Sequence, residues 1–192
     1  MCRSPRAELA GGIHHVYSRG AVRQEIFRDD LDRRRYLALL ARAARRMSWR
    51  CLTYCLMGNH MHLLIETPEP NLGRGMQWFH GTYAQAFNRR HAGSGHVFQG
   101  RFESKGIAGD PQLWVTVRYI VHNPIEAGLC ATPAAWPWSS HALLAAGTPP
   151  SFLDEARLYS YFESMGGDPQ RRYFEYVEVA PPNLKGSDPF MF

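Results

Sequence analysis

Apolar and polar positions change period along the chain, and each change marks an element. Gly12 to Ser18 (Gly-Ile-His-His-Val-Tyr-Ser) reads as a strand that ends at Arg19-Gly20. Phe27 to Asp30 leads into a helix from about Leu31 to Met47. Its Leu37, Leu40, Ala44 and Met47 share one side, while Arg33, Arg34, Arg42, Arg45 and Arg46 take the rest. Two strands follow, Trp49 to Met57 and Met61 to Thr67, joined at Gly58-Asn59, a dipeptide that tolerates positive φ. Asn71 is the expected cap of a second helix that runs to Arg90, with Leu72, Met76, Phe79, Tyr83 and Phe87 at helical spacing and Gly73, Gly75 and Gly81 weakening it.

After the Gly93-Ser94-Gly95 loop, Val97 to Ile107 reads as a fourth strand. Asp110-Pro111 opens a third helix as cap and first-turn proline, and Pro124 is expected to end it at Asn123. Ala131 to Pro150 reads as an irregular crossing segment, followed by two short helices within 151–180 and a loose tail. Strand, helix, strand, strand, helix, strand, helix predicts an α+β fold, a ferredoxin-like split βαβ sandwich with an antiparallel sheet.

A chain of 192 residues with 45% hydrophobic and 20% charged residues has the composition of a folded protein with a real core. No apolar run approaches the roughly 20 residues that cross a bilayer, and the N-terminus has no signal-like apolar region, so we expect a cytoplasmic protein with no membrane partner. Cys2, Cys51, Cys55 and Cys130 form no C-x-x-C pair, which argues for free thiols.

Charge is unevenly spread. Residues 1–150 carry 18 basic and 10 acidic side chains, whereas 151–192 carry 4 and 7, and 20 of the 22 basic residues are arginine. Arginine forks suit phosphate, so the first part of the chain is the place for a polyanion, nucleic acid above all.

His60 and His62 flank one residue on a predicted strand and therefore point the same way. Two neutral imidazoles side by side make half of a divalent-metal site. On the third helix, at about 100° per residue from Leu113, Val117 lies near ~40° and Ile120 near ~−20°, a core stripe that leaves Tyr119 at ~240°. Tyr119 shares this polar side with Gln112, Thr116 and Asn123, and Asn123 sits one turn on. A surface tyrosine or one packed under the C-terminal segment fits the wheel as well as a functional one.

Cys55-Leu-Met-Gly-Asn-His-Met-His-Leu-Leu64, His96-Val-Phe-Gln-Gly-Arg-Phe-Glu-Ser104 and Arg118-Tyr-Ile-Val-His-Asn-Pro-Ile-Glu-Ala-Gly-Leu129 stand in this order, with Trp138-Ser-Ser140 after them. These motifs, with His15-Val-Tyr-Ser-Arg-Gly20 and Ile26-Phe-Arg-Asp-Asp30 before them, resemble the REP-associated tyrosine transposases, a branch of the HUH single-strand DNA transposases. The resemblance spans roughly residues 12 to 141 and departs at Gly58, where the family usually has proline. It implies a catalytic domain over 10–130 and a C-terminal extension over 131–192. It implies that His60 and His62 are metal ligands, that Asn123 or its neighbour His122 supplies a third, and that Tyr119 is the single nucleophile.

The implied activity is metal-dependent endonuclease and strand transferase chemistry on hairpin-forming repeat DNA, through a covalent 5′-phosphotyrosine and with Mg²⁺ or Mn²⁺. Tyr83 and Tyr17 are next in line as nucleophile. Arg19, Arg101, Lys105 and Arg118 are the expected DNA-backbone contacts, and Phe98 and Phe102 can stack on bases or pack in the core. The protein is expected as a monomer or homodimer. A DNA-binding regulator that keeps the fold without cleavage is the alternative, and an RNA-acting protein of similar architecture is a third reading.

Overall fold

The computed structural model describes residues 10–179. Strand β1 (Gly12–Arg19) leads to α1 (Asp30–Met47), the hairpin β2 (Arg50–Leu56) and β3 (His60–Thr67), α2 (Leu72–Arg90), β4 (Glu103–Ile107) and α3 (Asp110–Glu126). Three shorter helices follow, α4 (Ser140–Ala145), α5 (Glu155–Ser160) and α6 (Pro169–Glu178). The strands form one antiparallel sheet in the order β2-β3-β1-β4, so β3 lies between the two strands that α1 connects. This is the expected ferredoxin-like α+β architecture, followed by a mostly helical C-terminal segment.

Directly paired residues share a face of a sheet. Register therefore sets His15, Tyr17 and Arg19 beside Leu64, His62 and His60 on one side, and Val16 and Ser18 beside Leu63 and Met61 on the other. Residues of both faces are buried, so both are covered. Helix α3 covers the histidine face, and α1 and α2 pack together on the other.

Helix α1 begins where the Asp29 carboxylate accepts from the amides of Leu31 and Asp32 and ends at Ser48 in the left-handed region. Asp29 and the buried Asp32 also hold Arg90 at 2.5 and 2.6 Å, so the end of α2 is tied to the start of α1. The first turn of α2 differs from expectation. The Asn71 side chain makes no cap bond. Its Oδ1 accepts from Trp49 Nε1 at 2.6 Å and its Nδ2 donates to the Met47 carbonyl at 3.0 Å. Gly75 is where that indole crosses the helix, since a Cβ there would lie 2.1 Å from Trp49.

The β2–β3 turn closes by Met57 N–H to the His60 carbonyl, and neither Gly58 nor Asn59 has positive φ. The Gly58 carbonyl accepts from Ile26 and Phe27, which fixes the turn to the start of α1. The fourth strand is shorter than its sequence suggests: Phe98, its ring stacked on His80 at 4.2 Å, makes only an isolated antiparallel bridge to Gly20, and the regular ladder starts at Glu103. Helix α3 takes Gly109 as its cap position, with Asp110 in the first turn, and continues through Pro124 to Glu126. Proline removes one amide, but Ala127 N–H to the Asn123 carbonyl and Leu129 N–H to the Pro124 carbonyl still close the end.

The C-terminal segment covers the outer edge of β2. Leu56 N–H donates to the Trp138 carbonyl, Asp154 N–H donates to the Cys51 carbonyl, and Ser140 Oγ lies 2.7 Å from Thr53 Oγ1. An open strand edge is a site for aberrant pairing, and here it is occupied. Arg157 and Tyr161 grip the buried Glu66 carboxylate at 2.8 and 3.0 Å, which docks α5 beside the end of β3.

Candidate active site

The site forms where α3 packs over β2 and β3, beside the histidine-bearing face of β1. His60 and His62 alternate onto the same face of β3, and their rings meet edge-to-face with centroids 5.2 Å apart. Tyr119 and Asn123 lie one turn apart on α3 and both turn toward them. The Tyr119 ring stands edge-on to His62 at 5.4 Å, and Asn123 Oδ1 lies 2.9 Å from His60 Nε2. Both side chains are buried.

The helical wheel left Tyr119 and Thr116 outside the core, and the structure buries both. The reason is that α3 is covered on more than one side. Its Thr116–Tyr119–Asn123 stripe joins the histidine face, while Trp114, Arg118 and His122 meet the C-terminal helices. Trp114 packs against Phe162 and Tyr176, and His122 Nε2 donates to the Val177 carbonyl at 2.6 Å. His122 is thereby committed to α6 and not brought to the histidine pair, so Asn123 is the residue of the two that reaches it.

Second partners set the state of each imidazole. Asn59 Nδ2 donates to the Arg23 carbonyl at 3.3 Å, which orients the amide so that Oδ1 accepts from His60 Nδ1 at 2.7 Å. The His60 proton is then on Nδ1, and a lone pair on Nε2 faces the amide oxygen of Asn123. A proton on Nε2, a reversed amide or a cation satisfies that contact.

His62 Nδ1 lies 3.0 Å from Nε2 of His15, a residue the motifs contain but to which sequence reasoning gave no role. Its signal is the period-2 pattern of β1, which points His15 and Tyr17 to one face. The register needed to match them to His62 is not in that pattern. Burial holds His62 well below the ordinary histidine value, helped by His15, His60 and the charge of Arg19. Burial lowers His15 to about 3, with the Lys105 charge adding to it. Both are therefore neutral near pH 7, which keeps lone pairs available for a cation.

The expected backbone contacts divide. Arg19 pairs with His60 across the β1–β3 ladder, and Lys105 with His15 across the β1–β4 ladder, so both flank the histidines. Arg101 is exposed in the segment that enters β4. Arg118 is elsewhere, with its guanidinium 4.5 Å over the Tyr176 ring of α6. Phe98 and Phe102 are buried and pack inside. Tyr83 is on the α1–α2 side, its hydroxyl donating to the Ile26 carbonyl, whereas Tyr17 is half-buried with its ring 6.2 Å from His62.

Among the described residues no three or more His, Cys, Asp or Glu side chains are grouped to hold a metal ion. A divalent ion here would take two imidazole nitrogens and one amide oxygen, with further positions left to water or substrate oxygens. The amide and water oxygens are donors for a hard ion and the imidazoles for a borderline one, so the set fits a divalent ion without selecting which. No helix of the described residues is long and apolar enough to cross a membrane.

Comparison with solved structures finds a REP-associated tyrosine transposase bound to a REP hairpin, 19% identical, with a TM-score of 0.62 over 78% of this chain and 89% of that one. A putative transposase of Deinococcus radiodurans R1 is 13% identical, with a TM-score of 0.44 over 68% of this chain and 100% of that one. No curated protein sequence matches the chain significantly. The first of these likenesses shows a shared fold. The family model described as "Transposase IS200 like" matches residues 11–123, a span that contains His60, His62, Tyr119 and Asn123 and is more than half of the chain. The chain belongs to the IS200-like transposase family.

Proposed function

We propose that this protein is a metal-dependent single-strand DNA endonuclease and strand transferase that acts on hairpin-forming repeat DNA through a 5′-phosphotyrosine. The observation that carries the reading is the convergence of α3 on the histidine pair. One helix turn brings a phenol ring to 5.4 Å from His62 and an amide oxygen to 2.9 Å from His60. The solved relative of the same fold is bound to a REP hairpin, which supports a folded DNA strand as substrate.

A phosphodiester repels nucleophiles because it is charged. His60, His62 and Asn123 would hold a divalent ion, which when bound neutralises phosphate charge and orients the group for in-line attack. Tyr119 Oη attacks phosphorus and loses its proton to water, and the bond from phosphorus to the 3′ oxygen breaks. The leaving oxygen takes a proton and becomes a 3′-hydroxyl, while the 5′ phosphate stays on Tyr119. Because the ester conserves the bond, another 3′-hydroxyl can reverse the step and join strands without a nucleotide cofactor. Arg19 and Lys105, beside the histidines, are the basic side chains best sited to hold the strand's phosphates, and Arg101 extends that charge at the entrance to β4.

The test is to incubate end-labelled hairpin DNA with the protein and Mn²⁺. A covalent protein–DNA adduct is expected that disappears with chelator and in His60→Ala and His62→Ala. DNA that is retarded but never cut would instead mark a binding protein.

A further inference from the structure

His15 lies at the centre of β1, fully buried, although a buried polar ring costs free energy unless hydrogen-bonded. Its Nε2 is 3.0 Å from His62 Nδ1, and the two rings stack with centroids 5.2 Å apart. The same ring also meets Tyr119 edge-to-face at 5.9 Å, so His15 walls the site on the side away from His60. The three histidines do not form a three-residue metal cluster. The nitrogen that His15 aims at the site is engaged by His62.

We propose that His15 is the positioning residue for His62. It accepts the Nδ1 proton of that ring and so leaves the Nε2 lone pair as the ligating one. The inference rests on the proposed metal role of His62. One proton lies between the two nitrogens. If it belongs to His15, then His62 must carry its own proton on Nε2 and cannot ligate through that atom. If it belongs to His62, Nε2 is open and the ring plane is fixed from behind, as in metal sites where a ligand's second nitrogen is held by an outer acceptor. His60 follows the same pattern with Asn59 as acceptor, so both ligands would present Nε2. His15 would act on the ligand while its stacking on His62 and edge contact with Tyr119 keep nucleophile and ligand at fixed separation.

The experiment measures Mn²⁺ affinity by electron paramagnetic resonance in full-length wild type, His15→Phe, His15→Gln and His62→Ala, with thermal unfolding recorded without metal. His15→Phe keeps a ring and removes both nitrogens, and is expected to weaken Mn²⁺ by about 10- to 100-fold. His15→Gln restores an acceptor near the Nε2 position and should bind close to wild type. Equal affinity of His15→Phe and wild type overturns the proposal, as does His15→Gln binding as weakly as His15→Phe. Should His15→Phe fail to fold, nitrogen-15 NMR of the Mg²⁺-loaded wild type decides: a proton on His62 Nδ1 supports the proposal, and one on Nε2 overturns it. Unchanged Mn²⁺ binding in His62→Ala is a different failure, because it removes the metal reading itself.

Discussion

Two glycines of α2 should respond to alanine in opposite directions. In a helix interior alanine is favoured over glycine by about 1 kcal/mol. At Gly81 an added Cβ meets nothing within 4 Å, so the full gain should appear. At Gly75 the same atom would lie 2.1 and 2.5 Å from Cζ2 and Cη2 of Trp49 and 3.0 Å from Met47 Cγ. The indole cannot simply retreat, because Trp49 is buried and its Nε1 is bonded to Asn71 at 2.6 Å, while Asn71 in turn holds the Met47 carbonyl. Overpacking costs about 1–3 kcal/mol, and displacing the indole adds about 1 kcal/mol or more for a broken buried hydrogen bond. Against a helix gain of about 1 kcal/mol, Gly75→Ala should lose about 1–3 kcal/mol net. Urea denaturation at pH 7.5 measures both variants. A Gly75→Ala protein as stable as Gly81→Ala would refute the close packing of Trp49 on α2.

Stability should also fall with acid. His80, bonded to the Tyr36 hydroxyl, is lowered to about 3 by burial, and His141, bonded to the Tyr173 hydroxyl, to about 4 by burial and the nearby His122. Their folded values lie below the unfolded value of about 6.5, so the unfolded chain binds the extra protons and stability is complete above that pH. Each should cost about 2 kcal/mol by pH 5, and a flat urea midpoint between pH 7.5 and 5 would contradict it. Glu66→Gln should loosen α5, since Arg157 and Tyr161 both depend on that carboxylate. A loss of about 1–3 kcal/mol and faster proteolysis within 150–168 are expected, and unchanged proteolysis would show that the contacts carry little.

Most of the scaffold was legible from local pattern. The hairpin with its His-x-His strand, the arginine-rich α1 and the ferredoxin-like order all follow from periodicity and turn residues. What was not legible depends on distant partners. Asn71 was expected as a cap, but Trp49 and Met47 claim its side chain. Tyr119 was assigned to a polar side because a wheel knows one core stripe, while α3 is covered by the sheet and by α6 together. Pro124 was expected to end α3, but the amides of Ala127 and Leu129 complete the final turn beyond it. His15 is paired with His62 by strand register, which no local window contains. Arg118 lies within a motif yet stacks on Tyr176, because neighbouring helix positions point about 100° apart.

The proposed chemistry depends on Tyr119 being the atom that takes the phosphate. Trapping the adduct formed with hairpin DNA and Mn²⁺, digesting both protein and DNA, and sequencing the modified peptide by mass spectrometry tests this directly. The account predicts a nucleotide phosphate on Tyr119 and no adduct from a Tyr119→Phe protein that still binds the hairpin. A nucleotide on Tyr17 or any other residue, or an undiminished adduct in Tyr119→Phe, would contradict it.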